Sequence, residues 1–286
     1  MNYQHAFHAG NFADVHKHAV LARILVYLRQ KPASFRVIDS HAGAGRYDLL
    51  GAEPSRSGEW RDGIARVWSA AALAQGHLAE LLAPYLQAVA ACNPAGDLRS
   101  YPGSPLIAQQ LLRPQDRLVA CELEPRAAAM LAATLRGDRR AKALSIDGWT
   151  AIGAYLPPKE RRGLVLIDPP FEDPADFVRL SEELAAAHRK WPTGIYMLWY
   201  PIKTREAPDA LARRLRRLGI AKLLRCEIVI QPPRADGGLA GSGLILVNPP
   251  FTLEADLRVL LPALLRVLAP QAATASQRLD WLGQNA

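Results

Sequence analysis

The segment Asp168-Pro169-Pro170-Phe171 has the residue types needed to hold an amino group for reaction. Proline has no backbone N–H, so we expect the Pro169 carbonyl oxygen to face outward as an acceptor beside the Asp168 carboxylate. Two neighbouring acceptors can bind both hydrogens of an exocyclic –NH2 group, and the Phe171 ring offers a face on which a base can stack. The segment therefore predicts a site that prepares an aromatic amine to act as a nucleophile. The structural alternative is a rigid strand exit capped by Asp168.

A glycine-rich turn, Asp39-Ser-His-Ala-Gly-Ala-Gly45, follows an earlier apolar run. Gly43 and Gly45 would allow the backbone to turn sharply and approach a ligand at the carboxyl end of a parallel strand. The turn has neither the G-x-G-x-x-G spacing of dinucleotide-binding proteins nor the Lys-Ser/Thr ending of a P-loop. An NAD-dependent oxidoreductase and a nucleotide hydrolase are therefore disfavoured, whereas a tight turn without a ligand stays open.

Acidic residues end two further apolar runs. Glu122 stands where doubly wound nucleotide-binding folds present a carboxylate to ribose hydroxyls. Asp147 and Gly148 could receive the edge of an adenine in the same cleft. Each of these positions alone is typical of a turn. Together with the glycine turn they make three such positions along one sheet edge, which favours a shared ligand.

Asn248-Pro-Pro-Phe251 repeats the proline motif near the end of the chain. The strand before it is joined to the preceding strand by a short connection, which predicts an antiparallel pair. An antiparallel strand ends at the opposite sheet edge from Gly43 and Asp168, so we assign Asn248 a structural role.

These candidate sites need a frame that brings strand ends together, and the sequence predicts an α/β doubly wound sheet. Short apolar runs alternate with longer helical patterns, and several runs are continuous, as in strands buried on both faces. The predicted strands are Phe35–His41, Arg117–Leu123, Ala141–Asp147, Gly163–Asp168, Ile195–Pro201, Lys222–Ile230 and Gly243–Val247. The predicted helices are Asn11–Leu28, Trp60–Gln75, Leu78–Cys92, Pro125–Arg136, Pro174–Lys190 and Ala207–Leu218. From Ala273 onward we expect weak order apart from Trp281.

The long gap between the first two predicted strands indicates an insertion. It holds two helical patterns and closes with Asn93-Pro-Ala-Gly96, so we predict a helical subdomain at residues 51–100. Residues 1–34 would form an N-terminal helical tail. The sheet domain would then comprise residues 35–50 and 101–286.

The composition is that of a globular chain, with half of the 286 residues hydrophobic and 22% charged. No apolar run approaches the roughly 18 residues of a membrane helix, and the first residues do not resemble a secretory signal, so we expect a cytoplasmic protein. Three widely spaced cysteines favour buried thiols over a disulfide framework: Cys92, Cys121 and Cys226.

The formal charge of +8 favours a polyanionic partner such as nucleic acid, with arginine-rich solvated helices as the alternative. Basic runs at Arg136–Lys142, Lys159–Arg162 and Arg213–Arg217 are candidate phosphate contacts, and solvated helix ends are an equal alternative for them. Four of the seven histidines lie within residues 1–18, a pattern that invites a zinc interpretation. No cysteine or carboxylate cluster completes tetrahedral spacing there, so we expect no metal.

The sequence resembles S-adenosylmethionine-dependent methyltransferases that carry the [DN]-P-P-[YF] motif of amino-group methylation. More specifically, it resembles the RlmJ family of bacterial 23S ribosomal RNA adenine-N6 methyltransferases. The matching segments are Tyr3-x-His-x-Phe-His-Ala-Gly-Asn-x-Ala-Asp-Val-x-Lys-His18, Asp39-Ser-His-Ala-Gly-Ala-Gly-Arg-Tyr47, Tyr101-Pro-Gly-Ser-Pro105, Arg162-Gly-Leu-Val-Leu-Ile-Asp-Pro-Pro170 and Leu198-Trp-Tyr-Pro201. These segments span nearly the whole chain, and the first is specific to the RlmJ family.

The resemblance implies a Rossmann-like class I methyltransferase sheet of seven strands, the last one antiparallel. It also implies a helical insertion and an N-terminal tail that folds over bound S-adenosylmethionine. The residues expected to line the cofactor pocket are His18, His41, Gly43, Gly45, Ser104, Glu122, Asp147, Gly148 and Asp168.

For catalysis, the resemblance makes Asp168 the acidic residue, aided by Pro169 and Phe171, and it brings Tyr3 and Lys17 to the RNA substrate. Family members commonly carry Tyr where this chain has Phe171, so stacking is kept but a hydroxyl group is not available.

We therefore predict methylation of N6 of a specific adenine in 23S ribosomal RNA, with the target base flipped out of its stack. The family further implies protein-free or early precursor RNA as substrate and a monomeric enzyme. Two alternatives stay open. One is a methyltransferase acting on another amine, such as cytosine N4 or a protein glutamine, and the other is a non-catalytic RNA-binding protein.

Overall fold

The apolar runs form one eight-stranded sheet in the computed structural model, which describes residues 5–71, 75–173, 175–233 and 237–283. The strands are β1 (Arg36–Asp39), β2 (Arg46–Asp48), β3 (Ser100–Pro102), β4 (Arg117–Glu122), β5 (Ala141–Ser145), β6 (Gly163–Ile167), β7 (Ile195–Ile202), β8 (Leu223–Val229), β9 (Gly241–Val247) and β10 (Ser276–Trp281). A 3-10 turn at His5–His8 precedes the helices α1 (Phe12–Arg29), α2 (Ala52–Ser57), α3 (Glu59–Asp62), α4 (Ile64–Ala71), α5 (Gly76–Ala91), α6 (Ser104–Leu111), α7 (Pro125–Thr134), α8 (Gly148–Tyr155), α9 (Asp176–Lys190), α10 (Glu206–Arg217) and α11 (Leu253–Leu268).

The large sheet has the order β10-β8-β9-β7-β6-β1-β4-β5, and β2 pairs separately with β3. Strand β1 lies between β4 and β6 and runs parallel to both, with Ile38 opposite Val119 on one side and Val165 on the other. Strands β5 and β7 extend this parallel block on its two sides. The carboxyl ends of β1, β4, β5 and β6 therefore share one edge, as the α/β prediction requires.

The predicted fold class is confirmed, including the antiparallel direction of β9 against β7. The strand count was wrong, because the sheet has eight strands and not seven. The eighth, β10, occupies the stretch that we expected to be weakly ordered, and it pairs antiparallel with β8. Its side chains are mostly polar, as is common on an edge strand, so it carries little hydrophobic signal.

Helix α1 packs against α5, α6, α11 and β9, so it is enclosed on several sides. This enclosure buries His16, Lys17 and His18, none of which is more than 3% exposed. Asn11 caps the helix, since its side-chain oxygen accepts hydrogen bonds from the backbone of Ala13 and Asp14 at 3.0 Å each. These hydrogen bonds fix the residue at which α1 begins.

Helices α2 to α5 lie between β2 and β3 in the chain, within the gap where we predict the insertion. The division of the chain into a tail (1–34), a sheet domain (35–50 and 101–286) and an insertion (51–100) stays a prediction. None of the helices in the described ranges is long and apolar enough to cross a membrane.

Candidate active site

Four chain segments meet where β1, β4, β5 and β6 end. The backbone N–H of Gly43 donates a hydrogen bond of 2.8 Å to Glu122 Oε2, which joins the glycine turn to the end of β4. Gly148 lies so close to the glycine turn that a Cβ there would stand 2.1 Å from the Ser40 carbonyl oxygen and 2.9 Å from the His41 ring. The structure thus brings together two pairs of predicted residues, Gly43 with Glu122 and His41 with Gly148.

The glycine turn depends on backbone conformations that favour glycine. Gly43 has φ +61° and Gly45 has φ +79°, and a Cβ on Gly43 would meet the Tyr47 hydroxyl at 2.2 Å. The Gly45 carbonyl accepts a hydrogen bond of 2.8 Å from the Gly103 backbone N–H. This contact joins the glycine turn to the start of α6, whose first residue is Ser104.

Lys17 forms the central ion pair of the site. Its ammonium group contacts the Asp168 carboxylate and lies 2.9 Å from Asp14 Oδ1. Burial disfavours the charged amine, but the Asp14 and Asp168 carboxylates outweigh it and raise the pKa of Lys17. The Gly10 backbone N–H donates a 2.9 Å hydrogen bond to Asp14. The carboxylate of the Asp-Pro-Pro motif is therefore tied to α1 by a charged lysine.

Asp39 is a fully buried carboxyl at the end of β1, with 1% exposure. Neither of its oxygens has a hydrogen-bond partner within the described part of the chain, although the Ser104 hydroxyl is near enough to favour the charged form. Burial raises the pKa of Asp39 to about 7, and the Asp168 and Glu122 charges add to this effect. The end of β1 thus carries a buried carboxyl whose hydrogen-bonding capacity is unused among the described residues.

The two predicted histidines have different surroundings. His18 Nδ1 shares a 2.7 Å hydrogen bond with the Tyr101 hydroxyl, and the two rings stack at 5.6 Å. His41 Nδ1 shares a 2.8 Å hydrogen bond with Ser40 Oγ, and its ring meets the Trp149 ring at 5.0 Å. Burial lowers the pKa of His41 to about 4, so this ring is neutral at physiological pH.

The remaining predicted carboxylates are fixed by nearby donors. Asp147 caps α8, with Oδ2 accepting from the Thr150 backbone at 2.9 Å and from the Thr150 hydroxyl at 3.0 Å. Glu122 Oε1 accepts a 2.9 Å hydrogen bond from the Glu124 backbone N–H. Both carboxylates are thus held at strand ends that border the cleft.

Phe171 has φ +51°, a strained backbone conformation for a bulky residue. Its ring packs against Phe177 at 4.7 Å and meets Trp199 edge-on at 5.7 Å. No residue that the structure describes donates a hydrogen bond to the Pro169 carbonyl. The motif therefore offers an acceptor and an aromatic ring beside Asp168, which suits an aromatic amine.

Comparison with known proteins assigns the family of this chain. The family model described as "Ribosomal RNA large subunit methyltransferase D, RlmJ" matches residues 32–283. The chain belongs to the RlmJ family. The resemblance read from the sequence motifs is thereby confirmed, as is the prediction that the chain belongs to a family of methyltransferases.

Full-length relatives agree with this assignment. A protein of Escherichia coli is 41% identical over 282 residues, and one of Haemophilus influenzae is 39% identical over 283, each alignment covering 99% of both chains. Both relatives are named "Ribosomal RNA large subunit methyltransferase J". A crystal structure of a Legionella pneumophila protein superposes with a TM-score of 0.88 at 32% identity, covering 97% of this chain and 99% of that one.

Two predicted RNA-contacting residues of this RlmJ-family chain have different outcomes. Tyr3 lies outside the described residues. Lys17 is 3% exposed and binds Asp168, so it is buried beside the Asp168-Pro-Pro-Phe171 motif, and its contact with RNA stays a prediction.

Sequence reasoning missed Asp14 and Trp199 as members of the site. Asp14 precedes Lys17 by three residues and His18 by four, and this helical spacing was the signal that could have identified it. Trp199 contacts Phe171 and lies 5.8 Å from the Lys17 ammonium. The place of Trp199 in the site depends on the pairing of β7 with the neighbouring strands. No local sequence pattern indicates that pairing.

The N-terminal histidines of this family member have separate partners. His8 forms a hydrogen bond of 3.0 Å with Glu59. His16 forms hydrogen bonds of 3.0 Å with Ser242 and 3.2 Å with Cys226. Within the described ranges, no group of three or more His, Cys, Asp or Glu side chains could hold a metal ion.

Proposed function

We propose that this member of the RlmJ family transfers a methyl group from S-adenosylmethionine to the N6 amine of an adenine in 23S ribosomal RNA. The observation that carries this proposal is the position of the Asp168-Pro-Pro-Phe171 motif. It follows β6 directly and shares a cleft with the glycine turn after β1 and with Glu122. An amine-binding motif and a nucleoside-binding edge thus meet at one point of the sheet.

The residues of the cleft fit the cofactor. S-adenosylmethionine carries an ammonium and a sulfonium, and three carboxylates here, Asp14, Asp39 and Asp168, surround one cation, Lys17. The unsatisfied oxygens of Asp39 can accept hydrogen bonds from the ammonium group. Positive charge on a ligand would also relieve the repulsion among these carboxylates.

The nucleoside part of the cofactor would lie along the strand ends. Glu122 would accept hydrogen bonds from the ribose hydroxyls, and Asp147 would lie beside the adenine. Gly43 and Gly148 keep the backbone open there, while His18, His41, Gly45 and Ser104 complete the lining that we propose. When bound, the cofactor supplies the electrophilic methyl group.

The target adenine would bind at the proline motif. Its N6 hydrogens would be accepted by the Asp168 carboxylate and the Pro169 carbonyl, and its ring would stack on Phe171. The charged Lys17 contacts Oδ2 of Asp168, and the other carboxylate oxygen, Oδ1, can accept a hydrogen bond from the amine. Asp168 is also the nearest base able to take the proton that N6 must lose. The adenine must leave its stack to reach so enclosed a group.

The proposed substrate is protein-free or early precursor 23S RNA, and the proposed enzyme is a cytoplasmic monomer without a metal. The chain's charge of +8 supports an RNA substrate, because neutralising phosphates releases counterions.

The decisive experiment is incubation with labelled S-adenosylmethionine and an unmodified 23S RNA transcript, followed by nuclease digestion and mass spectrometry. We expect N6-methyladenosine at a single site, no activity in Asp168→Ala, and normal activity in the matched variant Asp173→Ala, whose carboxylate is exposed in the next loop. N4-methylcytidine or labelled protein would instead support another amine as substrate. Absence of both labelling and cofactor binding would leave a non-catalytic RNA-binding protein.

A further inference from the structure

The second proline motif, Asn248-Pro-Pro-Phe251, presents an aromatic ring to solvent. Phe251 is 83% exposed, compared with 52% for Leu50, the next most exposed large hydrophobic side chain described. Asn248 has φ +50°, and its amide donates 2.8 Å hydrogen bonds to the carbonyls of Pro192 and Gly194. The strained turn is therefore held in place, and it projects Phe251 away from the core.

A hollow of about 230 Å³ lies beside this turn. It is lined by Tyr27 at the end of α1, by Pro249 and Pro250 of the motif, and by Arg161 and Arg162 ahead of β6. The Tyr27 ring meets Phe251 edge-on, with 5.8 Å between ring centroids. The lining of the hollow thus combines the aromatic Tyr27, which contacts Phe251, with the two arginines.

The two arginines give this hollow an unneutralised positive charge. Arg161 is exposed, has φ +50°, and forms no ion pair with any described residue. Arg162 donates to the backbone carbonyls of Leu28 at 2.7 Å and Ala33 at 3.1 Å, and no carboxylate pairs with it in the described ranges. Burial, and then the adjacent Arg113 guanidinium, lower the pKa of Arg162, while Tyr27 and Asp116 act in the opposite direction.

We propose that Phe251 and Arg161 form a second nucleotide site, in which a base of single-stranded RNA stacks on Phe251 and its phosphate contacts Arg161. This inference rests on the proposed RNA substrate. A ring stacks on any base, and a guanidinium contacts any phosphate, so the site would anchor RNA without reading its sequence.

The site lies at the opposite sheet edge from the amine-binding motif. Arg162 precedes the five-residue strand β6 and Asp168 follows it, so the two residues are six positions apart in an extended chain, or about 20 Å. The second site would therefore hold a segment of the substrate that flanks the target adenine.

The test measures binding of fluorescent oligouridine of about 20 nucleotides, a probe without adenine. We expect Phe251→Leu, which keeps an apolar side chain but removes the ring, to weaken binding at least roughly fivefold, while Phe251→Trp binds as the wild type does. Arg161→Gly removes the charge and suits the positive φ. It should also weaken binding and should reduce the slope of log affinity against log salt by about 0.7.

Matched controls are Met130→Ala, an exposed apolar side chain on α7, and Arg258→Ala, an exposed arginine on α11, and both should bind like the wild type. Wild-type affinity in Phe251→Leu, or no oligouridine binding by the wild type, would overturn the second site. A failure of adenine methylation would reject the proposed reaction. Oligouridine binding that depends on Phe251 would still support the second site in that case. Failure of the proposed reaction and failure of the second site are therefore distinguishable.

Discussion

Replacing Asp39 by Asn should change the way in which the stability of the cofactor-free protein depends on pH. The ordinary pKa of an Asp carboxyl is 3.8, and burial raises the pKa of Asp39 to about 7. Between these values the folded protein keeps a proton that the unfolded chain has released. The contribution of Asp39 to stability is therefore intact below about pH 4 and is lost as the pH rises toward 7.

The size of the effect follows from the pKa difference. One pKa unit corresponds to about 1.36 kcal/mol, and the folded state begins to release its own proton as the pH approaches 7. Between pH 5 and pH 7 the free energy of unfolding should therefore fall by about 2 kcal/mol through Asp39 alone. Asp39→Asn has no such proton, so its stability relative to the wild type should rise by this amount over the same interval.

Urea-induced unfolding at several pH values measures this difference, with Asp173→Asn as an exposed control that should follow the wild type. Parallel stability curves for wild type and Asp39→Asn between pH 5 and pH 7 would refute the reasoning.

A second measurement links the same group to ligand binding. Saturating S-adenosylmethionine should raise the melting temperature of the wild type by more than that of Asp39→Asn.

Three further substitutions test other contacts of the site. Lys17→Met leaves the Asp14 and Asp168 carboxylates buried without their cation, so urea unfolding should show a loss of about 3 kcal/mol; unchanged stability would contradict the ion pair. Phe171→Leu should raise the KM for RNA roughly tenfold while calorimetry shows unchanged cofactor affinity, and an unchanged KM would exclude stacking. Ser242→Ala removes a 3.0 Å acceptor from the Trp199 indole, so the free energy of unfolding should fall by about 1–3 kcal/mol, and a smaller change would show that water replaces the hydroxyl.

The inner strands could be predicted from the sequence because burial on both faces produces continuous apolar runs. Strand β6, for example, is Gly-Leu-Val-Leu-Ile, and all five of its residues are buried. Strand β10 could not be predicted in this way, since it is an edge strand with mostly polar side chains. Its place is fixed by backbone pairing with β8 and by the Arg225–Asp280 ion pair at 2.7 Å, both of which depend on tertiary structure.

The same distinction holds for the candidate site. Parallel strands end at one edge, so the grouping of Gly43, Glu122 and Asp168 follows from strand order alone. The pairing of Lys17 with Asp168 joins residues 151 positions apart. It depends on how α1 is rotated about its axis, and a helix that is buried on several sides has no single exposed face from which that rotation can be read.

This pairing makes the position of Asp168, the carboxylate that we propose binds the amine, dependent on residues outside the sheet. Asp168 binds Lys17, Lys17 binds Asp14, and Asn11 caps the turn that carries Asp14. The Asn11 amide in turn donates a 2.9 Å hydrogen bond to Glu59 at the start of α3. Lys17 and Asp14 are almost fully buried, and removing one member of a buried pair leaves an uncompensated charge. The start of α1 therefore holds in place the cation that pairs with Asp168, the proposed catalytic group.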